Sequence, residues 1–127
     1  MSYFRAIAIA AILAVSGAAI ALAPNASAKG GKSIRVSGAC SKSSTAKLKL
    51  SQDNARVEVE FEVDQNRNGI PWRVTLQRNG STVASTTATT RAPSGSFSVR
   101  RLISGAQGSF VAVATRSGER CSAHAGI

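Results

Sequence analysis

A chain of 127 residues with 16 basic and 6 acidic side chains, one histidine and two cysteines is long enough for one domain and too poor in ligands for a four-coordinate zinc site. Its formal charge of +10 directs it toward anionic partners. Aromatic residues make up 5% of the sequence, which leaves little to stack on bases or sugar rings.

Arg5 supplies a positive start, Ala6 to Ala23 is an uncharged run rich in Ala, Ile and Leu, and Ala26-Ser27-Ala28 sets small residues before Lys29. This is the layout of an export signal, helical in its apolar run and cut between Ala28 and Lys29. As a retained anchor the run would only just span a bilayer, and its alanine content and Pro24 argue against that use. Removing residues 1–28 from the 127 leaves 99, and removing Arg5 leaves 15 basic side chains against 6 acids, a charge of +9. The expected organisation is a cleavable signal over 1–28, a flexible start over 29–32 and one domain over 33–127. The expected location is extracellular or on the cell wall, with no membrane contact after cleavage.

Cys40 and Cys121 stand near opposite ends of the mature domain. In an oxidising compartment an even count reads as a bridge, and neither Cys-x-x-Cys spacing nor a zinc ligand set is present. Closing about 80 residues stabilises the fold by about 4.5 kcal/mol in the chain-entropy model.

Beyond the flexible start, Ile34, Val36, Gly38 and Cys40 share one parity, the period-2 mark of a half-buried strand with Cys40 on the core side. Lys47-Leu48-Lys49-Leu50 alternates before a turn at Gln52-Asp53-Asn54. Arg56 to Asp64 is the clearest strand, with Val57, Val59, Phe61 and Val63 on one face and Glu58, Glu60, Glu62 and Asp64 on the other. Trp72, Val74 and Leu76 alternate up to Asn79-Gly80, the dipeptide of a type I′ turn, so that a two-residue hairpin faces Arg78 to Ser81, Leu76 to Val83 and Val74 to Ser85. Phe97 and Val99 continue the pattern, and a bulge is expected at Arg100-Arg101 because Leu102 and Ile103 cannot both keep the parity of Val99. Phe110 to Thr115 is a short apolar strand, Ser117-Gly118-Glu119 turns the chain, and Cys121, Ala123 and Ala125 close the last strand facing inward. Seven or eight short strands with regular turn signals predict an all-β protein: a single antiparallel β-sandwich of immunoglobulin- or fibronectin-like architecture, with one disulfide; a barrel is the alternative, since the sequence does not show whether the edge strands pair.

Few constellations carry chemistry. The acids at 58, 60, 62 and 64 lie about 6.8 Å apart along the strand, too far to share one small cation, and pairing with cations such as Arg73 or Lys49 accounts for them. Asp64, Asn66 and Asn68, followed by Gly69, match the first half of a calcium loop, but the twelfth position is Thr75 and the flanks are strands. A loop in which these side chains bond to local backbone fits better. His124 is on the polar parity of the last strand, without a nucleophile or an orienting group beside it in the sequence, and no catalytic motif occurs. No enzyme activity, cofactor or metal is therefore expected.

Without the strand from Arg56 to Asp64 the mature domain keeps 14 basic residues and 2 acids. Arg67, Arg73, Arg78, Arg100 and Arg101 are the candidate binding cations. Because Phe61, Trp72 and Phe97 hold core parity and Phe110 lies in an apolar run, sequence-specific nucleic-acid binding is not expected.

Gly38-Ala39-Cys40-Ser41, the strand from Val57 to Asp64, Asn66, Gly69, Trp72, Asn79-Gly80, the run from Ser94 to Arg101, Gly118-Glu119 and Cys121 resemble a group of short secreted proteins from high-GC Gram-positive, actinobacterial bacteria. The resemblance covers nearly the whole mature chain. It implies an exported β domain with the same single disulfide and brings no activity with it.

The functional expectation is a secreted, monomeric, non-catalytic binding or cell-envelope-associated domain whose basic surface engages an anionic envelope polymer or a protein partner. The alternative is a secreted inhibitor or toxin-like effector that acts through an exposed loop, Gln65 to Pro71 or Arg91 to Gly95.

Overall fold

The computed structural model describes residues 31–127; the expected export signal, its expected cleavage site at Ala28 and Lys29, and residues 29–30 of the expected flexible start lie outside the described residues. Among the described residues there is no helix, and none therefore long and apolar enough to cross a membrane. Nine strands run β1 Ser33–Ser37, β2 Ala39–Cys40, β3 Thr45–Asp53, β4 Arg56–Asp64, β5 Pro71–Arg78, β6 Ser81–Thr89, β7 Ser96–Ser104, β8 Ser109–Arg116 and β9 Glu119–Gly126. They form two antiparallel sheets packed face to face, a four-stranded one in the order β1-β3-β4-β7 and a five-stranded one in the order β2-β9-β8-β5-β6. The expected sandwich is thus present. Lys32, within the predicted flexible start, already exchanges hydrogen bonds with Gln52 through its amide and carbonyl.

The strand read as continuous from Ser33 to Cys40 is divided at Gly38, where the chain leaves the first sheet for the second. A Cβ at Gly38 would stand 2.6 Å from the Ser122 carbonyl oxygen and 3.0 Å from the Ala46 methyl, so the crossing requires a residue without a side chain. That split adds the short β2, whose Cys40 lies directly opposite Cys121 in β9 and is bonded to it, with 4.0 Å between their Cα atoms. The disulfide therefore joins neighbouring strands of one sheet and does not cross-link the two sheets, which only the main chain connects.

Between the sheets lies one core in which the alternating residues are fully withdrawn from water: Leu48 and Leu50 of β3, Val57 to Val63 of β4, Trp72, Val74 and Leu76 of β5, and Phe110, Ala112 and Ala114 of β8. Burial of each large apolar side chain contributes roughly 1.5–3 kcal/mol against the entropy of ordering the chain. All four aromatic rings of the described chain belong to this core, Phe61, Trp72, Phe97 and Phe110. Trp72 meets Phe97 across the sandwich at 6.1 Å, tilted by 54°.

Two register expectations need correction. The β5–β6 hairpin does turn at Asn79-Gly80, with positive φ at both residues, and Arg78 faces Ser81. A bulge beyond Gln77 then brings Ala84, not Val83, opposite Leu76 and Thr86, not Ser85, opposite Val74. The extra residue keeps Ala84, Thr86 and Ala88 on the inner face and leaves Val83 exposed at 37%. In β7 the expected bulge is absent, because pairing with β4 runs unbroken from Ser96 to Ser104. Ile103 holds the inward parity of Val99, Leu102 is left outside at 50% exposure, and Arg101 takes an inward position on an edge strand where its guanidinium still reaches water.

The bridge closes a loop over a sequence separation of 81 residues. Cys40→Ser in the oxidised protein is expected to lower the melting temperature by roughly 20 °C, read by thermal denaturation, from a loss of about 4 kcal/mol in a domain of this size. An unchanged melt would remove the disulfide from the account of stability.

Candidate functional site

Each sheet has one face in the core, so candidate residues divide between two outer faces and the loops at the sandwich ends. The outer face of the four-stranded sheet is a lattice of opposite charges. Across the strands the ladder sets Arg35 beside Lys49, Glu60 and Arg100, and in the next row Ser37 beside Lys47, Glu62 and Ser98. Arg100 reaches two acids of the row, its Nε 3.5 Å from Glu58 and its Nη2 3.0 Å from Glu60. The hydrogen bond to Glu60, then the charges of Glu60 and Glu58, raise the Arg100 pKa above its ordinary value. Lys49 stands opposite Glu60 as expected, whereas Arg73 belongs to the other sheet and cannot serve this row.

The outer face of the five-stranded sheet has a different composition. Its rows run His124, Val111, Gln77 and Thr82; then Ser122, Val113, Thr75 and Ser85; then Arg120, Thr115, Arg73 and Thr87. Among the described residues no acid stands on this face. Asp53, Glu58, Glu60, Glu62 and Asp64 lie on the strands of the opposite sheet, with their side chains on its outer side, and Glu119 is buried. Arg73 and Arg120 flank Thr115, about 10 Å apart at the backbone, two strand spacings. The candidate cations are therefore not equivalent. Arg67, Arg73 and Arg101 are exposed. Arg100 is held by Glu58 and Glu60, and Arg78 donates to the carbonyls of Ser104 and Gln107 while covering the Phe110 ring at 5.7 Å. Arg78 thus shapes the β7–β8 loop instead of contributing an open positive site.

At one end of the sandwich the two candidate loops pack against each other. The Gln65 amide donates to the Gly95 carbonyl, and a Cβ at Gly95 would stand 2.2 Å from the Arg67 nitrogen. Thr90, 1% exposed, fastens the assembly: its hydroxyl donates to the Arg67 carbonyl at 2.5 Å and accepts from the Ile70 amide at 2.9 Å. In the half calcium motif, the Asp64 carboxylate accepts the Asn66 amide at 3.0 Å, the local backbone bond expected for this loop. Asp64 and Asn66 line a shallow hollow with Arg67, while Asn68 is not among its walls.

One buried polar cluster was hidden by the turn reading of Ser117-Gly118-Glu119. Glu119 is the first residue of β9, on the same parity as Cys121, Ala123 and Ala125, and that parity was the available signal. Its carboxylate accepts the Ser44 hydroxyl at 2.9 Å, the Ser44 amide at 3.2 Å and the Arg116 guanidinium at 3.0 Å. Arg116 lies 5.4 Å over the Trp72 ring, and the indole N–H donates to Gln65 at 2.9 Å. Glu119 also sits within 4.8 Å of Cys40 and Cys121, but their sulfurs are bonded to each other and offer no thiolate to a metal. Burial works to raise the Glu119 pKa, yet the Ser44 bonds and the Arg116 bond and charge outweigh it and hold the carboxyl below its ordinary value. His124 stands exposed on the outer face, opposite Val111 in the ladder.

Compared against protein families, curated proteins and solved structures, the chain matches none.

A carboxyl whose pKa is depressed on folding contributes stability that is present above its unfolded pKa and lost as pH falls through the folded value. Glu119→Gln is expected to destabilise the domain at neutral pH by about 3 kcal/mol, because it strips the charge from a buried partner of Arg116. The same variant flattens the acid side of the stability profile, measured by urea unfolding from neutral pH down through the carboxylate range. A variant as acid-sensitive as the wild type would assign that limb to other carboxylates.

Proposed function

We propose that the protein is an exported, non-catalytic binding domain that holds an anionic polymer of the cell envelope against the outer face of its five-stranded sheet. The observation that carries this reading is the separation of charge: the acids occupy one outer face or the interior, while Arg73 and Arg120 rise from a hydroxyl-bearing face without an acid among the described residues. An arginine fork matches carboxylate and phosphate oxygens in pairs, and the hydroxyls of Thr75, Thr87, Thr115 and Ser122 supply further donors. A flat face of this kind suits a repeating chain more than a small molecule, which would need an enclosing cavity. The disulfide fits an oxidising environment.

The second reading, a loop-borne inhibitor, has its own support in the packing of residues 65–70 against 91–95 into one firmly bonded end. A protruding segment held in one shape binds a cleft with less ordering cost.

Salt elution from a polyphosphate or carboxylate matrix separates these readings. Arg73→Ser with Arg120→Ser is expected to elute at clearly lower salt than Arg35→Ser with Lys47→Ser, although both lose the same charge. Equal elution of the two variants would reduce the binding to net charge and sink the proposal for the face. Unaltered retention in both, with salt-insensitive inhibition of a co-secreted enzyme, would favour the loop reading.

A further inference from the structure

We infer that β6 is a docking edge, and that its occupant is an extended acidic segment of a partner polypeptide that adds a sixth strand to the five-stranded sheet. The backbone edge is distinct from the flat face, but the choice of an acidic occupant rests in part on the same acid-free row of Arg73 and Thr87.

A sandwich of two open sheets has four edges, and exposed edges invite pairing unless something blocks it. Three of the four carry a block. On β7, Arg101 occupies an inward position; β1 is five residues long with Arg35 at its centre; β2 has two residues and leaves beyond it only the last four of β9, Ala123–Gly126, too short a stretch for a strand of any length. The remaining edge, β6, has nine residues, Ser81–Thr89, with no charged side chain and no proline. Its threonines and valine suit a strand, and it carries none of the charges that guard an exposed edge.

The hydrogen bonds fix which groups that edge presents. Thr90 donates its amide to the Ile70 carbonyl at 2.9 Å and accepts the Gly69 amide at 2.7 Å, so residue 90 turns its backbone toward the β5 chain. Strand alternation then turns Ala88 and Thr86 the same way and aims the N–H and C=O of Ser85, Thr87 and Thr89 outward. Arg91 is the next outward position, and there the chain meets its own ladder: the Arg91 amide donates to the Ser96 carbonyl at 2.9 Å and the Ser96 amide returns a bond at 3.2 Å. One rung of a further strand is therefore built, and the rungs at Thr89, Thr87 and Ser85 continue along the same line.

There is also room for the side chains of such a strand. Four strands face five, so the inner side of β6 is only partly covered, and Ala84, Thr86 and Ala88 are half-buried. Beside them a cleft of about 490 Å³ runs between Thr87, Ala88 and Thr89 on one side and Ser96, Phe97 and Ser98 on the other. Alternate residues of an added strand would point into this cleft toward Phe97, and small apolar ones fit. The other set would lie in the row of Thr87 and Arg73, on the acid-free face. Arg91 stands at the end of the cleft and exposed Arg101 on the adjoining edge, with Glu62 the one acid in the cleft wall. This surround, in a strongly cationic domain, selects acidic side chains on the occupant.

Amide hydrogen exchange on the disulfide-bonded protein tests the inference with a capped peptide of alternating Val and Glu as probe. The Ser85, Thr87 and Thr89 amides are expected to slow on its addition, and a capped Val and Lys peptide to leave them unchanged. Thr87→Pro removes one outward N–H without touching the β5 ladder, so it is expected to abolish the protection with little change in melting; Thr87→Ala, which keeps the main chain, retains it. Unchanged amides in the wild type would overturn the docking edge whatever the proline variant does. Equal protection by both peptides would overturn the acidic occupant. Slowing that grows with protein concentration alone would give the edge to a second copy of the chain and overturn the partner assigned here.

Discussion

The fold depends on what happens around Cys40. There the first strand has just crossed from one sheet to the other, and two residues of β2 would be a weak addition to any sheet. The covalent bond to Cys121 makes that addition permanent and ties the beginning of the domain to its last strand. Two residues before Cys121, Glu119 gathers Ser44 from the loop after β2 and Arg116 from the end of β8, and Arg116 in turn lies on Trp72. The disulfide and the buried carboxylate therefore hold the same corner by different means, one by limiting the unfolded chain and the other by a charge that has no alternative partner once inside. Since Trp72 passes its indole N–H to Gln65, this corner also positions the loop that begins at Asp64.

Charge follows from the way β4 is placed. A central strand of the four-stranded sheet must put one parity in the core, and here that parity is wholly apolar, so its acids are forced onto one outer face. Neighbouring strands answer them with Lys47, Lys49 and Arg100. These exposed pairs stabilise little by themselves. Their larger effect is on the rest of the surface: with five acids held on one side and the sixth buried, the opposite face is left positive without needing many cations of its own.

Much of this was legible in the sequence because period-2 alternation is nearly unbroken in β3, β4, β5 and β9. What could not be read were the places where two rules compete. Leu102 and Ile103 in succession suggested a bulge; the structure instead keeps the ladder intact and accepts an exposed Leu102, because an edge strand need not satisfy both faces. The hairpin was rightly placed by Asn79-Gly80, yet the bulge after Gln77 shifts every partner beyond it, since Val83 and Ala84 are both acceptable strand residues and the sequence does not show which is inserted. Glu119 was masked by its turn neighbours Ser117 and Gly118, although parity with Cys121 pointed inward. Arg78 and Arg73 looked alike as cations, and only tertiary packing separates one that braces a loop from one that faces water.

The unequal strand count links stability to binding. A fifth strand opposite four cannot be covered, so β6 carries Ala84, Thr86 and Ala88 where β5 carries Trp72, Val74 and Leu76. Large apolar residues at those positions would expose a sticky surface; small ones bury little and hold the strand mainly through its bonds to β5. An element stabilised by one ladder and few apolar contacts opens more readily than the core strands. A polypeptide that pairs with its outer side supplies the second ladder and covers the small inner residues at once. The same composition that leaves β6 weakly held in the isolated domain is thus what gives an incoming strand something to stabilise, whereas a fully packed edge with its own covering would gain little from a partner.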